Sequence, residues 1–385
     1  MNKLRIQLLI CLLAILFATG AAISEGAARA LPAAAPDNNQ DPLTPSQAPK
    51  LPVNVSPYNK NILYVGRFDK SMPEGPRCAW PASSVTIRFR GTAANVEMAG
   101  GNTDYWQIVV DGHPTFRLQL AKHPALYCVA SGLRPGTHEV TLVKLGEALF
   151  GTAQILGFEL SAGGVVLPVA PSHRRLEVIG DSISAGFGNE AVNQYAKFSA
   201  QTENAYMAYG AIAARRLHAE YVCIAWSGKC LWPHNTIPAI YGRTLPEQVG
   251  SKWNFSAWQP QAVVINLGTN DFAGGDPNEQ KWVAAYVRFI QRIRRNYPGV
   301  SIICALSSMV SNAWLPKKNA RSMCRRYIRT VVKQCHRDGY KKVFFLAFPL
   351  QNGQYGFGAQ WHPSVREDRY LAGILVKALR DKLGW

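Results

Sequence analysis

The chain has 385 residues, more than one hydrophobic core usually serves, so two domains are the starting expectation. Hydrophobic residues make up 48% and charged residues 17%, a globular balance with enough apolar material for a sizeable core. Lys and Arg outnumber Asp and Glu by 42 to 24, a formal +18 that would suit an acidic partner. The basic residues are scattered, however, and the pairs Arg215-Arg216, Arg294-Arg295 and Arg325-Arg326 fall in helical patterns, where they read as solvated faces. No zinc-finger spacing, RNA-binding aromatic motif or heptad zipper accompanies the charge, which argues against a nucleic-acid partner.

At the N-terminus Lys3 and Arg5 precede an apolar stretch from Ile6 to Phe17, and small residues follow through Ala22. This is the pattern of a secretory signal peptide, placed at residues 1–26. An uncleaved anchor is the alternative, but the run is short for a span and no charged stop follows it. The expectation is a secreted protein, periplasmic or extracellular, with no membrane span once the signal is removed. Cys11 falls in the signal, leaving seven cysteines, an odd number. Cys223 with Cys230, and Cys324 with Cys335, are near enough in sequence to pair. The spacing supports no zinc site.

Residues 27–59 are rich in Ala, Pro, Asn and Gln and read as an extended linker. The texture changes over residues 60–170. Short alternating runs appear, among them Ser84 to Phe89, Trp106 to Val110, Phe116 to Leu120 and His138 to Val143, each bounded by turn residues such as Asp111-Gly112 and Pro135-Gly136. Many short strands with no helical period predict a β-sandwich.

Residues 171–385 carry a second rhythm. Strand candidates Leu176 to Ile179, Ala219 to Ala225, Ala262 to Asn266, Val300 to Leu306 and Lys342 to Leu346 alternate with helical patterns. Those patterns run over Ala205 to Leu217, Glu279 to Asn296, Asn319 to Arg337 and Val365 to Leu383. Buried strands alternating with amphipathic helices specify a parallel sheet in an α/β domain, whose site belongs at the carboxyl ends of the strands.

Four polar elements fall at such positions. Gly180-Asp181-Ser182-Ile183-Ser184 follows the first strand, and its small neighbours would let Ser182 stand exposed in a sharp strand-to-helix turn. A polar turn explains the string equally well in isolation, and the GxSxG elbow of α/β-hydrolases is absent. Asn270, in Gly268-Thr269-Asn270-Asp271 after the third strand, could aim its amide at a developing oxyanion, or could simply close an Asx turn. His362, in Trp361-His362-Pro363-Ser364, could exchange a proton with a hydroxyl, or could cap a helix entry. Gly228, after the second strand, could offer its backbone N–H, since glycine permits close approach. Together a nucleophile, donors and a base at one sheet edge make the constellation that acyl transfer needs. Trp361, Trp226, Trp232 and Phe272 could wall the substrate pocket, or could pack the loops.

In chain order these residues resemble the SGNH (GDSL-like) hydrolases, on the motifs GDSIS at 180–184, Gly228, GTND at 268–271 and the histidine of WHPS. The preceding region, with Gly66-Arg67-Phe68, Phe89-Arg90-Gly91-Thr92 and His138 to Lys144, looks like carbohydrate esterase family 2. The resemblance implies an SGNH-type, flavodoxin-like α/β domain preceded by a jelly-roll-like β-sandwich. It also implies a serine esterase that removes O-acetyl groups from polysaccharides or oligosaccharides without metal or cofactor. By the same resemblance Ser182 is the nucleophile and His362 the acid/base. The Ser182 N–H, the Gly228 N–H and the Asn270 side chain form the oxyanion hole. Many SGNH enzymes carry an Asp three residues before the histidine, where this chain has Ala359. A Ser–His dyad is then expected, with the Gln360 carbonyl orienting the imidazole and slower chemistry as the consequence. A lipid or thioester hydrolase on the same scaffold, and a non-catalytic carbohydrate-binding protein, are the rival readings.

Overall fold

Alternation in the first half becomes antiparallel strands because each run buries every second side chain against a facing sheet. The computed structural model describes residues 49–385 apart from positions 102 and 314–318, so the signal-peptide expectation and residues 27–48 of the linker lie outside it. In chain order the strands are β1 (Val53–Val55), β2 (Leu63–Val65), β3 (Arg77–Cys78), β4 (Ser84–Gly91), β5 (Ala94–Ala99) and β6 (Tyr105–Val110). They continue with β7 (His113–Gln119), β8 (Ala125–Ala130), β9 (Gly136–Lys144), β10 (Ala153–Leu160) and β11 (Val165–Leu167). One sheet runs β1-β10-β5-β8 with β3 beside β10, and the other runs β11-β4-β9-β6-β7 with β2 beside β4. Ile87 and Phe89 of β4, Trp106 and Ile108 of β6, and Leu142 of β9 share one core with Val96 and Met98 of β5 and Ile155 of β10.

The linker expectation needs correction at its end. Val53–Val55 pairs in register with Leu160 to Phe158, and the Leu51 N–H donates to the Glu159 carboxylate at 2.8 Å. Two valines at alternate positions suit a strand, and the flanking Pro52 and Pro57 lie outside the ladder, where they remove none of its donors.

A parallel sheet follows: β12 (Arg174–Gly180), β13 (Ala219–Ala225), β14 (Ala262–Asn266), β15 (Ser301–Leu306) and β16 (Val343–Ala347). Its order is β13-β12-β14-β15-β16, the flavodoxin-like arrangement, with the switch point beside β12. The helices are α1 (Ser182–Ala185), α2 (Tyr209–Arg216), α3 (Ile237–Ile240), α4 (Thr269–Ala273), α5 (Glu279–Asn296), α6 (Ala320–Arg337) and α7 (Val365–Leu383). α5 and α6 pack one face of the sheet, and α2 and α7 the other. The helix expected over 205–217 begins only at Tyr209, after a single 3-10 turn capped by Asn204. Its first N–H donates to Asp368 of α7 at 3.0 Å, so a carboxylate from another element caps the start. No helix among the described residues is long and apolar enough to cross a membrane.

Arg67, fully buried ahead of β3, joins the two regions. Its guanidinium lies 3.4 Å from Glu177 of β12 and donates to the Tyr241 and Arg243 carbonyls. Tyr241 and Tyr297 donate their hydroxyls to the same Glu177 carboxylate at 2.6 and 3.0 Å. Both Glu177 oxygens are thus occupied, which offsets part of the desolvation of the buried pair, while the Arg67 Nε–H has no partner among the described residues.

The cysteine pairings suggested by spacing do not form, for the seven described cysteines are free thiols. Cys324 and Cys335 both lie in α6, eleven residues apart, which separates them by about 16 Å along the axis. Cys223 instead meets the Ser184 carbonyl at 3.4 Å, where burial pushes its thiol up to about 12.

Candidate active site

Gly180, Ala225 and Asn266 stand in register at the ends of β12, β13 and β14. The residues just beyond them, Ser182, Gly228 and Asn270, therefore leave the sheet along one carboxyl edge. Ser182 is the first residue of α1, and the Asp181 carboxylate caps that helix by accepting the Ile183 N–H at 3.1 Å. Burial pushes the Asp181 carboxyl up to about 7.

His362 arrives from the far end of the chain. Its Nε2 lies 2.8 Å from Ser182 Oγ, and its Nδ1 lies 3.1 Å from the Ala359 carbonyl oxygen. A carbonyl can only accept, so Nδ1 carries the proton and Nε2 is left bare toward the hydroxyl. The Ala359 carbonyl is thus the main partner, and the Gln360 carbonyl expected from the sequence contributes after it. Gln360 and Trp361 both take left-handed backbone conformations, φ 51° and 64°, and this tight turn swings the imidazole back over Ala359. Two consecutive left-handed residues cost about 1–3 kcal/mol each and persist only where neighbours over-determine them. Here the Ala359 N–H donates to the Gly188 carbonyl, the Gln360 N–H to Gln194, and Gln351 Nε2 to the Trp361 carbonyl.

The Phe187 ring lies 4.3 Å from the imidazole and stacks at 3.9 Å on Phe198. This apolar cover disfavours the imidazolium, and burial holds the His362 pKa at about 4, with the Ala359 and Gln360 carbonyls opposing the shift. The imidazole is therefore neutral across ordinary pH.

The expected donors stand as follows. Gly228 is exposed with φ 74°, a left-handed turn in which glycine carries no side-chain penalty. Asn270 donates one Nδ2 hydrogen to the Lys229 carbonyl at 2.9 Å, leaving its second hydrogen for a ligand. Asp271 accepts the Leu231 and Trp232 N–H groups and the Trp282 indole N–H, so it braces the loop after β13 and stays away from His362.

Of the aromatic residues, Trp361 is 48% exposed and meets Phe357 and the 77%-exposed Tyr195 edge-on. Trp226 and Trp232 are partly buried against the core, and Lys229 Nζ lies over the Trp226 ring at 4.7 Å. Phe272 is a correction. It is buried between Trp282 and Tyr327, because the short helix α4 turns its fourth residue inward toward α5 and α6. Tyr195, Phe187 and Phe357 were not selected from the sequence. Phe187 sits in the glycine-rich block that follows Ser182, which is the one signal that could have found it.

Comparison with known proteins agrees with both halves of the chain. A model of the carbohydrate esterase 2 N-terminal region matches residues 64–170, and one of the GDSL-like lipase/acylhydrolase family matches residues 178–367. Over 333 residues the chain is 40% identical to the cellulase/esterase CelE of Acetivibrio thermocellus, covering 85% of this chain and 40% of CelE. It therefore spans less than half the length of that relative. An acetylxylan esterase / glucomannan deacetylase of Cellvibrio japonicus is 28% identical over 80% of this chain and 86% of its own. Among solved structures, a family two carbohydrate esterase from Clostridium thermocellum in complex with cellohexaose superposes with a TM-score of 0.80. Its sequence is 40% identical over 84% of this chain and 99% of that one.

Proposed function

The chain belongs to the family two carbohydrate esterases, and from that premise we propose that it removes O-acetyl groups from polysaccharides or their oligosaccharides through Ser182 and His362. The observation that carries the reading is the 2.8 Å contact between His362 Nε2 and Ser182 Oγ, with Nδ1 satisfied by a carbonyl. As Ser182 Oγ attacks the acetyl carbonyl carbon, its proton passes to Nε2 and the carbonyl electrons move onto oxygen. The Ser182 and Gly228 N–H groups and the free hydrogen of Asn270 receive that oxyanion, each donor worth about 3 kcal/mol in the transition state. Collapse breaks the bond to the sugar oxygen, which takes the proton from His362. A water then gives its proton to Nε2 and attacks the acetyl-enzyme; acetic acid departs and the proton returns to Ser182.

With no carboxylate at Nδ1, the Ala359 carbonyl sets the tautomer, and the imidazolium formed during the reaction gains less stabilisation than an Asp would provide. The exposed Trp361 and Tyr195, with half-buried Phe357 against Trp361, suit stacking of a sugar ring beside the base. The names of the acetylxylan and glucomannan-deacetylating relatives support the choice of acyl group and glycan. The basic-then-apolar N-terminal segment supports export.

Release of acetate from a panel of acetylated xylans, glucomannans and cello-oligosaccharides, by wild type and Ser182→Ala, tests the reading. The expected outcome is acetate from at least one glycan and its loss in the variant. Preference for long-chain or thioester substrates would reject sugar deacetylation, and unchanged hydrolysis by Ser182→Ala would reject the mechanism.

A further inference from the structure

Between the end of β9 and the loops of the catalytic edge lies a group of buried charges that the acyl transfer leaves unused. Asp104, Lys144, Glu147 and Glu203 are all fully buried. Lys144 closes β9 and pairs with Asp104, which precedes β6. One lysine against three carboxyls leaves an uncompensated negative charge, and a buried excess of that kind is relieved by keeping a proton on a carboxyl.

The partners decide which carboxyl keeps it. Glu147 Oε2 accepts the Ser227 N–H at 2.5 Å, whereas its Oε1 and both side-chain oxygens of Glu203 have no hydrogen-bond partner among the described residues. Burial raises both groups, Glu147 to about 7 and Glu203 well above its ordinary range, with the charge of Glu147 adding to the rise at Glu203. Lys144 from β9 and Lys229 from the catalytic loop favour the charged form of Glu147. Glu203 therefore holds a proton the more firmly of the two, and Glu147 keeps the acceptor that meets the Ser227 amide.

Ser227 immediately precedes Gly228. Around Gly228 itself a Cβ would meet nothing within 4 Å, so no side chain packs against that residue. Hydrogen bonds orient the turn: the Lys229 N–H closes it onto the Trp226 carbonyl at 3.2 Å, Glu147 accepts the Ser227 N–H, Asn270 donates to the Lys229 carbonyl at 2.9 Å, and Asn235 donates to the Gly228 carbonyl at 3.1 Å. Of these, only the Glu147 contact reaches in from the β-sandwich side. The peptide plane it fixes is next to the one that carries the Gly228 N–H, so a tilt of one reorients the other.

We propose that Glu147 is a positioning residue of the esterase, which grips the Ser227 amide from the sandwich side and so aims the Gly228 N–H at the position of the acyl oxyanion. The inference rests on the oxyanion role proposed above for Gly228. It gives the N-terminal sandwich a part in the chemistry: the sandwich orients a donor that has no packing of its own.

The test uses the full chain with 4-nitrophenyl acetate as probe, and compares Glu147→Ala, Glu147→Gln and Glu147→Asp. Gln keeps an acceptor at the same reach without charge, whereas Asp keeps the charge and withdraws it by one methylene. The expected result is a kcat loss of about 10- to 100-fold in Ala and Asp, with KM within about twofold and most of the loss recovered in Gln. Should Glu147→Ala fail to fold, the Asp and Gln pair carries the comparison. Wild-type kcat in a folded Ala or Asp variant would overturn the proposal, as would an equal loss in Gln and Asp. Asn270→Ala, measured in parallel, separates the two readings. A loss there with none at Glu147 sinks this inference alone, while no loss in Asn270→Ala sinks the oxyanion assignment beneath it.

Discussion

The Gly188 carbonyl accepts the Ala359 N–H at 2.9 Å, and a Cβ built on Gly188 would stand 2.5 Å from the Ala359 Cβ. The block that begins with Ser182 and the turn that bears His362 therefore touch backbone to backbone. Glycine is required there for the approach itself, and its φ of 54° adds a second reason. Gly188→Ala should push the turn away, costing about 1–3 kcal/mol of stability. The same displacement should cost about 100-fold in kcat/KM, because proton transfer depends on sub-ångström placement of Nε2. Urea unfolding and steady-state hydrolysis check both, and wild-type values in the variant would mean that the contact does not position the base.

The acid limb of the pH–rate profile reports on His362. Its folded pKa is depressed from 6.5 to about 4 by burial, so the base stays neutral, and active, down to that region. The kcat/KM profile should lose activity near pH 4, with no fall around 6.5. The stability effect follows the same sign. Between pH 6.5 and about 4 the unfolded chain binds a proton that the folded chain refuses, so stability present above 6.5 is lost as pH falls through this window. His362→Gln removes the titration, and its melting temperature should fall less than that of wild type over the window. An equal fall in both proteins would contradict the assignment.

Two aromatic residues that look alike in the sequence should separate by experiment. Trp361→Ala should raise KM for acetylated oligosaccharides by about 10-fold, the loss of about 1.4 kcal/mol of stacking, with little change for 4-nitrophenyl acetate and no change in stability. Phe272→Ala should instead destabilise the fold by about 3–5 kcal/mol through the cavity left against Trp282 and Tyr327, with KM unaltered in the protein that remains folded. The reverse pattern would return Phe272 to the pocket wall.

Arg67→Met leaves Glu177 charged and buried, with only two tyrosine hydroxyls for company, and should cost about 3–5 kcal/mol in urea unfolding. Adding Glu177→Gln removes that charge and keeps an acceptor for the hydroxyls, so the double variant should recover a measurable part. No recovery would mean that the arginine acts by packing between Tyr241, Trp253 and Phe255.

Much of the architecture was legible because it depends on local pattern. Apolar runs such as Ala262 to Ile265, rich in β-branched residues and short for a helix, read as buried strands, and the periods over Glu279–Asn296 and Val365–Leu383 match the observed helices. Val53–Val55 escaped notice because three residues carry too little periodicity to stand out from a proline-rich stretch. The motif residues Ser182, Gly228, Asn270 and His362 could be listed in order, since each follows a recognisable strand end or precedes a recognisable helix.

What the order of residues could determine by itself was which chemical groups exist and on which end of which element they sit, because hydrophobic period and turn chemistry act over a few residues. Tertiary structure alone decided which carbonyl meets the imidazole, which aromatic faces solvent, and that Glu147 grips an amide eighty positions away. The physical reason is that a hydrogen bond or a ring contact is satisfied over about 3–4 Å, and chain folding brings such distances together irrespective of separation in sequence.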